Sequence, residues 1–120
     1  MANRNIRGGG NPGGVPEEGQ DLSPILVRAL DHATRREALR LLHRSGEAMS
    51  PAEMSRQIRD VSTYVSYHLQ VLVDLGAVES VGKREVEGVR EELFGSKVAD
   101  HAQLTSILAD TEGEDEWLKR

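Results

Sequence analysis

The sequence predicts a mainly α-helical domain with one small β-hairpin (α+β), and three observations predict it. Apolar residues recur at helical spacing in a series of short segments, most of them opened by a capping residue or a proline. Between Gly76 and Phe94 the pattern changes to spaced valines around a turn signal at Gly88. Ahead of both lies a Gly-rich stretch, residues 1–20, with almost no large apolar side chain. Such a stretch cannot offset the entropy of ordering by burial, so it reads as a flexible leader. Within it Gly8, Gly10 and Gly13 match GxGxxG. That fingerprint works only between a strand and a phosphate-binding helix; no strand precedes it and Pro12 interrupts it.

From Leu22 the elements follow in order. Ser23 and Pro24 supply an N-cap and a first-turn proline for ILVRAL, and Asp31 is placed to cap HATRREALRLLHR. In that second helix Ala38, Leu39, Leu41 and Leu42 form the apolar stripe, and Gly46 stops it. Ser50, Pro51 and Glu53 make a capping box that opens PAEMSRQIR. Asp60 and Val61 interrupt the pattern, after which Ser62 or Thr63 caps STYVSYHLQVLVDLG. Val65, Leu69 and Leu72 recur there at i, i+4 and i+7 and fix the buried side, and Gly76 ends the helix.

AVESVGKREVEGVREELF then reads as a two-stranded hairpin with a charged tip. SKVADHAQLTSILAD reads as a final amphipathic helix, offering Val98, Ala102, Leu104, Ile107 and Leu108 for burial. The expected organisation is a leader over residues 1–20, one domain over 21–109 and a frayed acidic tail over 110–120. Trp117 stands alone in that tail.

The chain has 120 residues, a net charge of −5 and no cysteine, so one compact domain carries the function and thiol chemistry, disulfides and Cys-rich metal sites are excluded. No apolar run is long enough for a signal peptide or a membrane span, and the expected location is the cytoplasm. Charge is segregated. Asp110, Glu112, Glu114, Asp115 and Glu116 cluster late, whereas Arg35, Arg36, Arg40 and Arg44 stud one helix and Lys83, Arg84 and Arg90 the hairpin. The helical arginines suit phosphate contacts or ion pairs with Glu37 and other carboxylates, and charge alone does not choose.

The face of STYVSYHLQVLVDLG opposite its apolar stripe carries Ser, Thr, Tyr and Gln where a solvated helix usually carries Lys and Glu. A helix entering the DNA major groove needs such donors and acceptors for base edges, without the repulsion of carboxylates. Short helices with a tight turn before this one, followed at once by a hairpin, give the order of a winged helix-turn-helix: a three-helix core plus wing and a C-terminal helix.

ALDHATRREALRLL, SPAEMSRQI, VSYHLQVLVDLGAVE and REVEGVREELF resemble, in this order, the winged-helix transcriptional regulators of the ArsR type. The resemblance runs from about Ser23 to Phe94 and is most specific at VSYHLxVLxxLGxVE. It implies that Ser62, Thr63, Tyr64, Ser66, Tyr67 and Gln70 lie on a DNA-reading helix and that Lys83, Arg84 and Arg90 lie on a wing touching phosphate. It also implies a homodimer on double-stranded DNA, with the helix after Ser96 as the dimerisation element.

Two departures stand out. The turn IRDVSTYVS is compressed and has no glycine, leaving Asp60 to take the left-handed position. Metal-sensing members carry paired cysteines before the turn or Asp and His ligands in the last helix; here there is no cysteine, and Asp100 with His101 is an incomplete set. No metal, cofactor or small-molecule effector is expected. His68 has no nucleophile or orienting acid at interpretable spacing, so it reads as a packing residue, and the hairpin carboxylates as a solvated surface. A second function class keeps the fold but not the DNA: a protein-interaction module whose acidic surface repels polyanions.

Overall fold

Pro24 and Gly46 bracket two helices whose ends are set by local chemistry. The computed structural model describes residues 24–98 and 102–120; the expected leader 1–20, the Ser23 cap and the Asp100–His101 pair lie outside the described residues. Helix α1 spans Pro24–Ala29 and buries Leu26 and Ala29. Helix α2 spans Ala33–Ser45. Its N-cap is His32 and not Asp31: the imidazole Nδ1 accepts from the Thr34 N–H at 3.1 Å, as an Asp oxygen one residue earlier does not. Gly46, at φ +68°, ends α2 in the left-handed conformation that glycine adopts without strain.

The capping box forms as expected. The Glu53 N–H donates to Ser50 Oγ at 3.1 Å and the Ser50 N–H to Glu53 Oε1 at 3.0 Å. Helix α3 is nevertheless shorter than PAEMSRQIR, spanning Pro51–Ser55. The chain leaves the helix because residues 57–59 take another backbone partner, the C-terminal segment: the Arg59 N–H donates to the Leu118 carbonyl and the Arg120 N–H to the Gln57 carbonyl, in an antiparallel bridge between Ile58 and Lys119. That partner lies 60 positions away, beyond the reach of local pattern.

Helix α4 spans Ser62–Asp74, and its N-cap is Val61, without a side-chain cap bond. Ser62 is the first helical residue, so neither it nor Thr63 is the cap. Asp60 acts through its carboxylate, not through a left-handed backbone: Oδ1 accepts from the Val61 N–H at 3.0 Å and Oδ2 from Thr34 Oγ1 at 2.9 Å. Among the described residues Glu87 is the non-glycine with positive φ.

Strands β1, Val78–Val86, and β2, Val89–Ser96, pair antiparallel from Val78↔Ser96 to Val86↔Val89, with a bulge between Ser80 and Gly82. Glu87 and Gly88 form the two-residue turn, both at positive φ (51° and 82°), the combination that matches strand twist. Met49 and Phe94 exchange backbone bonds at 3.0 and 2.9 Å, anchoring the root of the hairpin on the helices. Val78 and Phe94 are buried there, whereas Val81, Val86 and Val89 stay exposed. The hairpin therefore projects as a wing.

Helix α5 spans Ala102–Thr111 and buries Leu104 and Leu108; Ala102 is exposed. The acidic segment after it is folded, where the sequence led to a frayed acidic tail. A 3-10 turn at Glu116–Leu118 inserts Leu118 into the core formed by Leu39, Met54, Ile58, Leu69, Leu72 and Leu104. Asp115 is 1% exposed, and its carboxylate receives Arg36 in a two-point fork (Nε and Nη2, both 2.8 Å) together with Arg40 Nη2 at 2.8 Å. The Arg36 fork, opposed by burial, holds the Asp115 carboxyl below its ordinary range. Arg40 also donates to Glu37, Thr111 Oγ1 and the Leu108 carbonyl. Trp117 remains exposed.

Candidate nucleic-acid interface

The buried side of α4 is Val65, His68, Leu69 and Leu72. At 100° per residue those four leave Thr63, Tyr67 and Gln70 pointing most directly away, with Ser66 on one flank and Tyr64 on the other. The structure agrees: Ser62, Thr63, Tyr64, Ser66, Tyr67 and Gln70 are all exposed, and both tyrosines are 60% so. Neither tyrosine covers the edge of the core. The helix presents three hydroxylic side chains, two phenols and one amide on a single outward surface.

His68 joins α4 to α2 through two contacts, a ring stack with His32 and a bond from Arg35. The His68 ring stacks on His32 with centroids 4.1 Å apart and meets the edge of Tyr67 at 5.1 Å. Arg35 Nε donates to His68 Nδ1 at 3.3 Å while Arg35 Nη1 donates to the Arg28 carbonyl at 2.8 Å. Burial, the neighbouring His32 and Arg35 together push the His68 pKa below its usual value, against the weaker pull of Asp60. His68 is thus a packing residue, as its sequence context implied. Below α4 the Asp60 carboxylate ties the turn to Thr34 of α2.

The wing residues divide. Lys83 and Arg90 are exposed and make no ion pair among the described residues. Arg84 is engaged: its Nη2 lies 2.7 Å from Glu53 Oε1 and 3.5 Å from Glu91 Oε1. The hydrogen bond from Arg84, ahead of that from the Ser50 backbone, lowers the Glu53 pKa. Arg84 therefore joins the wing to the capping box of α3, and the uncommitted cations of the wing are Lys83 and Arg90. The arginines of α2 divide too, Arg36 and Arg40 being turned inward onto carboxylates.

Two groups at this surface escape a reading of the sequence. Arg56 is exposed in the turn between α3 and α4, and its place in RQIRD next to a helix start was the available signal. Asp74, at the end of α4, accepts from Gln70 Nε2 at 3.0 Å, an i, i+4 pair visible in the sequence but overlooked among apolar neighbours. A groove beside Tyr67 is lined by Arg28, Asp31, Arg35 and Asp74. Among the described residues there is no cluster of three or more metal-ligating side chains, and no helix is long and apolar enough to cross a membrane.

Residues 30–81 match a protein family described as a helix-turn-helix domain, a span that takes in α2, α3, α4 and the start of β1. No curated protein matches the chain. Helix order, wing and family match agree: the chain carries a helix-turn-helix domain in a mainly helical α+β fold with one antiparallel hairpin.

Proposed function

We propose that this protein is a sequence-specific transcriptional regulator that binds double-stranded DNA as a homodimer. One observation carries the reading: the thirteen residues of α4 bury a mainly apolar seam and expose hydroxyls, phenols and an amide on the opposite face, whose one carboxylate, Asp74, stands at the C-terminal end of the helix. Ser66, Tyr67 and Gln70 face the base edges of the major groove, and Ser62 and Thr63 lie in the first turn, where backbone N–H groups and the helix dipole favour phosphate. Lys83 and Arg90 reach phosphate from the wing. Arg84 contributes there only if it exchanges Glu53 for phosphate. The resemblance to ArsR-type regulators supports the dimer, in which α5 pairs the subunits and two α4 helices read successive half-sites. No catalytic step, metal or effector enters this reading.

Selection of duplexes from a random library with the purified chain tests it. The expected result is an enriched site whose affinity falls steeply with salt and is lost in Ser66→Ala with Gln70→Ala. Absence of any enriched site at low salt would refute it and favour the interaction module. Sedimentation tests the dimer separately; a monomer at high micromolar concentration counts against it.

A further inference from the structure

The helix-turn-helix match ends at residue 81, yet the turn it contains is completed by residues 115–120. Residues 57–59, which connect α3 to α4, bond to the C-terminal segment through two backbone bonds, Arg59 N–H to Leu118 and Arg120 N–H to Gln57. Side chains reinforce both directions: Arg59 Nε donates to the Lys119 carbonyl at 3.1 Å, and Arg120 Nε to the Ser55 and Ile58 carbonyls at 2.9 Å each. Leu118 packs beside Ile58 in the core, and the other end of the segment is fixed to α2 by Asp115.

We propose that residues 115–120 form a strap that holds α4 at the angle required to read DNA, with Asp115 and Arg120 as positioning residues. The proposal rests on the DNA-reading role assigned to α4. Its physical basis is the turn itself. The turn has no glycine, and α4 has no side-chain cap, so the carboxylate of Asp60 and the strap are what fix the chain entering α4. Asp115 bridges Arg36 and Arg40 of α2 to the strap, and the strap reaches the turn three residues later. The carboxylate thus sets the turn against α2 without touching α4.

Two variants separate the parts. Lys119 is extended, at φ −82° and ψ 142°, a conformation that tolerates a following proline, so Arg120→Pro removes one bridge bond and the side-chain bonds without a clash against the preceding residue. Asp115→Asn removes the charge from the other end. In the 120-residue chain, amide hydrogen exchange at residues 58–64 is expected to accelerate about tenfold or more in both variants, while the amides of Leu39 to Leu42 keep their protection. Affinity for the duplex selected by the wild type is expected to fall about tenfold with the salt slope unchanged, since no phosphate contact is lost. A slope reduced by about one in Arg120→Pro would make Arg120 a phosphate ligand and overturn its positioning role. Faster exchange with unchanged affinity would overturn the proposal as well. If the wild type selects no duplex, the DNA reading fails and the positioning role with it; unaltered exchange in both variants removes the strap itself, whatever the DNA result.

Discussion

Helices α2 and α4 are each thirteen residues long and pack against one another, yet they use polarity in opposite ways. α2 has four arginines, and two of them, Arg36 and Arg40, are spent internally on Asp115 and Glu37. α4 has no arginine or lysine, and its hydroxyls and amide all face out. Charge count alone points to α2 as a polyanion surface, although two of its four arginines are already paired with buried carboxylates. The proposed function rests instead on which polar groups the fold leaves exposed to solvent, the Gln70 amide among them although it also bonds Asp74. A buried Arg–carboxylate cluster satisfies itself, whereas exposed hydroxyls and amides beside an apolar seam remain available.

Breaking the α2 side should have the largest effect. Arg40→Met leaves Glu37 buried without its cation and removes one of the three guanidinium contacts of Asp115; a loss of about 3–5 kcal/mol is expected from urea unfolding. A loss below about 1 kcal/mol would show the cluster to be energetically idle. The seam of α4 comes next: Leu69→Ala, at a site with no solvent exposure, should cost about 2–5 kcal/mol. Ser50→Ala removes one half of the capping box at a buried position and should cost about 1 kcal/mol, readable as a lower thermal midpoint.

The contact between the two helices predicts a pH dependence. The pKa of His68 is lowered in the folded state, so between its folded value and about 6.5 the unfolded chain binds more protons. Stability should therefore decline as pH falls below about 6.5, and His68→Gln should flatten that decline. A wild-type stability that does not change between pH 7 and 5 would show that the stacked imidazoles do not govern it. The smallest effect on stability belongs to the outward face. Ser66→Ala and Gln70→Ala should change unfolding by no more than about 0.5 kcal/mol while weakening DNA binding by about 1–3 kcal/mol each. A large stability loss instead would mean that these side chains serve the fold.

Much of this architecture was legible because its signals are local. The capping box at Ser50, the Val65, Leu69 and Leu72 seam, the Glu87–Gly88 turn and the outward placement of Tyr67 and Gln70 follow from spacings of a few residues. What escaped depends on distant partners. α3 ends early, Asp60 acts as an acceptor and the acidic tail folds because each meets a group 26 to 79 positions away. Arg84 looked like a free wing cation because Glu53 is its neighbour only after folding. The His32 cap was hidden by Asp31, the commoner capping type one residue earlier.

The bond between the Arg59 side chain and Lys119 spans 60 positions, which has a consequence for biosynthesis. At a ribosomal pace of about 5–20 residues per second, the segment that opens α4 is made roughly 3–12 seconds before its closing partner. During that interval the nascent chain holds every residue of the outward face but not the clasp behind it. The outward face of α4 is therefore complete before the turn that leads into it can close.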